Sequence, residues 1–138
     1  MSEQSSDRVQ FDFSDCRVLV TGGSSGIGHG IASAFAAAKA DVLITGRRAK
    51  ASEYDVDLSA FRYQQLEMTD SKGITALADG LDGLDILVNN AADCSRGTIE
   101  DTSLELWERI MSLNLRAPYI LMQEAVNLVM KEKRSGAI

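Results

Sequence analysis

With 138 residues, 45% of them hydrophobic and 25% charged, the chain has the size and composition of one globular domain able to bury a core. A formal charge of −6 with scattered Lys and Arg argues against a nucleic-acid partner, and no apolar run approaches the roughly 20 residues that cross a bilayer. The first fifteen residues lack the basic and apolar blocks of a signal peptide, and Cys16 and Cys94 form neither a disulfide framework nor a metal pattern, so a reducing, cytoplasmic setting without a membrane or metal is expected.

Residues 1–15 read as a polar amino-terminal arm, and residues 16–138 as one domain. Residues 17–21 (RVLVT) are a short apolar, β-branched run that ends in glycines, the pattern of a strand buried on both faces. Ile27, Ile31, Ala34, Phe35 and Ala38 then recur at helical spacing. His29, at the start of that helix, is expected on its exposed surface. Residues 41–45 (DVLIT) give a second strand, 61–68 a third and 84–89 a fourth. Asp70 is placed to cap a short helix carrying Ile74, Leu77 and Leu81.

Farther on, Thr102 and Glu105 have the spacing of a capping box. The long helix they introduce carries Leu106, Trp107, Ile110, Met111 and Leu115, and Pro118 should bend or restart it. It continues through Leu121, Met122, Ala125, Val126 and Val129 to a basic cluster, Lys131, Lys133 and Arg134, suited to a helix carboxyl end. Strands alternating with helices predict a parallel α/β sheet.

The loop Thr21-Gly22-Gly23-Ser24-Ser25-Gly26-Ile27-Gly28 joins the first strand to the first helix. A backbone without side chains can approach a pyrophosphate closely there, and the helix offers free amides and the positive end of its dipole. The spacing is G-x-x-x-G-x-G rather than G-x-G-x-x-G, and a P-loop would need Lys where His29 stands. Glycines can also serve only a tight turn. The position at the carboxyl end of a buried strand favours a ligand.

The chain resembles the short-chain dehydrogenase/reductase family at three places in family order. These are the loop at 21–28, Asn89-Asn90-Ala91-Ala92 after the fourth strand, where the family has Asn-Asn-Ala-Gly, and Asn114 in the long helix. The likeness covers roughly residues 11–138. It implies a Rossmann-like doubly wound parallel sheet with a nicotinamide cofactor across the strand ends. By that resemblance Gly22, Ser24, Ile27 and Gly28, with Ser25 and Gly26 of the same loop, line the phosphate and ribose path. Asn90 and Ala91 pack against the adenosine ribose, and Asn114 supports catalysis through a backbone kink and a water in a proton relay. Glu67, followed by Met68, stands where the family has an Asp contacting adenine. Ala92 replaces a glycine, and Lys39 occupies a place often held by glycine, a difference read as one of surface only.

The residue after the second strand discriminates between the two nicotinamide cofactors. Here it is followed by Arg47-Arg48 with no acid in place, which favours NADP(H) over NAD(H), with Arg47 preferred as the phosphate contact. An Arg pair on a loop is also commonly just solvated. The family's Ser and Tyr-x-x-x-Lys are missing: Tyr54, Tyr63 and Tyr119 are followed four residues on by Leu58, Glu67 and Gln123. Cys94 and Ser95 have no partner base in the sequence and read as loop residues. The domain is accordingly expected to be truncated after the fourth strand and its long helix, with that strand's edge exposed. The function implied is an oxidoreductase that interconverts a ketone and a secondary alcohol, present here as its cofactor-binding part. A non-catalytic dinucleotide-binding module is the alternative, and a scaffold that binds nothing ranks third. The family's habit of pairing through its long helices suggests a homo-oligomer, and the implied substrate is a small carbonyl or alcohol.

Overall fold

The computed structural model describes residues 9–133 and 135–138, so the first eight residues of the polar arm and Arg134 of the basic cluster lie outside it. Four strands form one parallel sheet: β1 (Arg17–Val20), β2 (Asp41–Gly46), β3 (Arg62–Gln65) and β4 (Ile86–Val88), in the spatial order β3-β2-β1-β4. Starting from the middle and winding outward both ways, this is the Rossmann-like order implied above.

Strand alternation splits the core into two layers. Val18, Val20, Val42 and Ile44 face one side, where α1 (Gly26–Ala37) brings Ala32 with Ile31 and Phe35. Leu19, Leu43 and Leu87 face the other, against Ile74 and Leu77 of α2 (Ser71–Asp79) and Leu121 and Ala125 of the long helix. Ile31 and Phe35 of the predicted face therefore pack on the sheet, with Ala32 beside them. Ile27, 79% exposed at the start of the helix, and Ala34 are left in solvent, so the predicted face is only partly seated. His29 is half-buried, not exposed, its ring edge-on to Phe61 with centroids 5.8 Å apart.

The strands are shorter than their apolar runs. β1 ends at Val20, with the Thr21 hydroxyl accepting from the loop after β4, and β3, at the sheet edge, pairs with β2 only over 62–65. The edge of β4 is not left open as expected: Ala137 pairs with it in parallel, with Leu87 N–H donating to the Ala137 carbonyl and Ala137 N–H to the Asp85 carbonyl, both at 2.9 Å.

Asp70 caps α2 as predicted, accepting from the Lys72 amide at 3.0 Å. The next cap is displaced by one residue: α3 (Leu104–Met111) is capped by Ser103, whose hydroxyl accepts from the Leu106 amide at 3.1 Å. Thr102 instead donates its hydroxyl hydrogen to the Thr98 carbonyl at 2.7 Å, so no Thr102–Glu105 capping box forms. The helical run goes on through a π-helical turn (Ser112–Arg116), α4 (Ala117–Ala125), a second π-helical turn (Val126–Met130) and α5 (Lys131–Lys133). Pro118 restarts rather than breaks it. The proline falls in the first turn of α4, where its missing amide is tolerated, and the preceding turn widens so that Ala117 N–H reaches the Ser112 carbonyl.

Lys39 is more than a surface difference. It has φ 72°, the left-handed conformation that ends α1: its amide bonds the Ala36 carbonyl while the Ala40 amide reaches back to that of Phe35. A Cβ there is strained, so Lys39→Gly should raise stability by about 1 kcal/mol. The midpoint of a urea melt measures it. Loss of the ion pair from Lys39 to Asp12 (3.0 Å) subtracts little, since both side chains are solvated.

Candidate functional site

At the carboxyl ends of the strands lies a cleft of about 710 Å³. This is where parallel α/β sheets bind ligands, because the strand order reverses between β1 and β4 and the loops diverge. It gathers residues from four loops: Gly22, Ser24, Ser25, Ile27 and Gly28 after β1; Arg47 and Arg48 after β2; Glu67 and Met68 after β3; Asn90 and Ala91 after β4. Gly26 stands at the rim of the same loop with φ 53° and open space above it.

Thr21 and Asn90 join the first and last of these loops. The Thr21 hydroxyl accepts from the amides of Asn90 (3.0 Å) and Ala91 (3.1 Å). In return the Asn90 side-chain amide donates to the carbonyls of Thr21 (3.0 Å) and Gly22 (3.2 Å). Gly22 has φ 65°, and its amide donates to the Thr45 hydroxyl of β2 at 3.2 Å. Three strands are thus locked together beneath the loop, and Asn90 serves as a staple with its amide hydrogens turned into the protein.

The amino terminus of α1 is the donor set of the cleft. Asp70 and Ser103 cap α2 and α3 with their side chains, but Ser25 makes no such bond at α1. The first-turn amides of α1 therefore remain available to a ligand, and anions bind favourably at such an end. The residues present fit the pyrophosphate of a dinucleotide: open amides, glycines that admit a close approach and two guanidinium groups across the cleft.

Asn114 does not line the cleft. It sits in the first π-helical turn, where its amide nitrogen donates to the Asp93 carbonyl (2.9 Å) and its oxygen accepts from the Asp93 amide (2.8 Å). Both halves of the side chain thus hold the loop after β4. The Asp93 carboxylate accepts from the hydroxyl and amide of Ser95, and Arg109 of α3 lies 3.1 Å from its other oxygen. Ser95 and then Arg109 and Arg47 keep its pKa below the ordinary range, against the opposing effect of burial.

Glu67 turns back to Thr69, accepting from its amide and hydroxyl at 3.3 and 3.2 Å, and is exposed, while Met68 is buried below. The residues that sequence reasoning missed lie under the Arg47-Arg48 turn. Tyr54 lines the cleft, and Tyr63 and Gln65 of β3 bond the carbonyls of Arg48 and Arg47. Burial pushes the Tyr54 hydroxyl up, but hydrogen bonds with Arg48, Ser24 and Tyr63 outweigh it, so its pKa falls below the usual value. Burial and the Tyr54 contact raise that of Tyr63.

A model of the family described as short chain dehydrogenase matches residues 17–138. The chain belongs to the short-chain dehydrogenase family. Among its relatives, galactitol 2-dehydrogenase of Agrobacterium fabrum is 36% identical over 127 residues, covering 87% of this chain and 49% of that protein. D-threitol dehydrogenase of Mycolicibacterium smegmatis is 36% identical over 141 residues, covering 94% and 54%. The crystal structure of a short-chain dehydrogenase from Streptomyces avermitilis superposes with a TM-score of 0.80 at 32% identity, over 88% of this chain and 46% of that one. The chain thus spans about half the length of the curated relatives it matches. The family model is described as dehydrogenase, and both named relatives carry dehydrogenase names.

Proposed function

We propose that this chain is the cofactor-binding part of an NADP(H)-preferring oxidoreductase that interconverts a small ketone and a secondary alcohol in the cytoplasm, where Cys16 and Cys94 stay free thiols. The observation that carries the reading is the sharing of one cleft by the uncapped terminus of α1 and the Arg47-Arg48 turn. The α1 amides hold the pyrophosphate, and the two arginines, with no carboxylate between β2 and the turn, hold a phosphate on the adenosine ribose. Gly22, Ser24, Ser25, Gly26, Ile27 and Gly28 form the near wall of the site. Glu67 and Met68 border the adenine end, and Asn90 and Ala91 the ribose.

The cofactor supplies the hydride donor or acceptor. Asn114 contributes indirectly, as a positioning residue that fixes Asp93 and the loop after β4. The chain contains no Tyr-x-x-x-Lys, so it should bind the cofactor without turning over a carbonyl substrate.

Fluorescence titration of the 138-residue chain with NADPH and, in parallel, NADH tests this. The expected result is saturable binding of both, tighter for NADPH by about tenfold. Equal affinities, or tighter NADH, would refute the phosphate assignment, and failure to bind either would refute the site.

A homo-oligomer completes the proposal. Trp107, Leu115 and Tyr119 stand 52–60% exposed along one face of the long helix, together with Met111. Light scattering should give at least twice the 14.9 kDa chain mass. A monomeric mass would count against it.

A further inference from the structure

The Arg47-Arg48 turn is held more firmly than a solvated loop needs. Gln65 donates to the Arg47 carbonyl at 2.9 Å, and the Tyr63 hydroxyl donates to that of Arg48. The Arg48 amide donates to the Tyr54 hydroxyl at 3.1 Å. That hydroxyl also lies 3.4 Å from the Tyr63 hydroxyl. Beyond the backbone, the Arg48 guanidinium carbon sits 4.8 Å from the centroid of the Tyr54 ring. Tyr54 therefore touches both ends of Arg48.

We propose that Tyr54 is the positioning residue for NADP(H) selectivity, holding Arg48 over its ring so that the guanidinium meets the extra ribose phosphate already ordered. The proposal rests on the reading that the Arg47-Arg48 turn receives that phosphate. An arginine loses much rotamer freedom when it is immobilised, and a platform that immobilises it beforehand removes that loss from the binding step. A guanidinium seated on an aromatic face keeps its planar fork of N–H donors free for an anion. NADH lacks the second phosphate, so this device should leave its affinity unchanged.

The test is a titration of the parent chain, Tyr54→Leu and Tyr54→Phe with NADPH and with NADH. Tyr54→Leu, which removes ring and hydroxyl, should weaken NADPH about tenfold and leave NADH within about twofold. Tyr54→Phe keeps the ring beneath Arg48 and should weaken NADPH by about threefold. A parent chain that does not favour NADPH removes the reading beneath the proposal. A parent that favours NADPH, with the same ratio in both variants, overturns the proposal and leaves that reading in place. Equal losses for the two cofactors in Tyr54→Leu, with the ratio kept in Tyr54→Phe, would assign Tyr54 to the fold alone and also overturn it.

Discussion

Gly28→Val should abolish measurable NADPH binding and visibly lower the melting temperature of the chain. Gly28 is buried at the start of α1, and a Cβ built there collides with the Asn90 amide nitrogen and the Gly22 carbonyl oxygen. Those two groups are bonded to each other at 3.2 Å, so the added side chain enters the staple between β4 and the glycine loop. Nothing at that point can yield cheaply: one neighbour is backbone, and the other is an amide committed to two carbonyls. Overpacking of this kind costs about 1–3 kcal/mol of stability. Displacing the first turn of α1 also misaims its amides, for which a loss of roughly 100-fold in affinity is a reasonable scale, since misplacement by about 1 Å can have that effect. Gly30, on the same helix with open space where a Cβ would stand, provides the control. Gly30→Ala should bind NADPH like the parent and melt slightly higher, because alanine favours helix by up to about 1 kcal/mol. Circular dichroism melts and the fluorescence titration read both effects. Parent-like binding by Gly28→Val would mean that the Asn90 staple does not shape the site.

Leu121→Ala should remove about 2–5 kcal/mol, a large part of the roughly 5–15 kcal/mol that holds a domain together. Leu121 is fully buried in the layer formed by Leu19, Leu43, Leu77 and Leu87, at the point where the long helix lies on the sheet beside α2. Its removal opens a cavity that Ala117 and Ala125, the small residues flanking it along α4, cannot close. Val126, on the same helix but 40% exposed, should tolerate alanine within about 0.5 kcal/mol. The midpoints of urea melts compare the two. A Leu121→Ala chain as stable as the parent would show that this part of the helix is not seated on the sheet as described.

Much of the architecture was legible because it is written in contiguous residues. The apolar runs around Val18, Val42 and Leu87 carry strands that need burial on both faces, and the sheet provides it. Asp70 was legible as a cap because capping involves a side chain and an amide two residues away. At Ser103 the same reasoning chose its neighbour Thr102, since both can cap and only the path of the preceding turn from Thr98 separates them. Lys39 shows a similar limit. That glycine often holds its place was visible, but the left-handed φ depends on where α1 stops.

By itself, then, the sequence determined the alternation of strand and helix, the glycine loop with its place after β1, and the family to which the chain is similar, because each rests on residue types at short, fixed spacing. Tertiary structure alone decided what the polar residues do. Asn90 faces inward to Thr21, 69 residues away, and Asn114 clamps Asp93, 21 residues away. Tyr63 and Gln65 meet the Arg47-Arg48 turn only because β3 pairs with β2 in the register that puts Gln65 opposite Gly46. A hydrogen bond needs its partners placed to within a few tenths of an ångström, and strand register and helix seating supply that placement, whereas spacing along the chain does not.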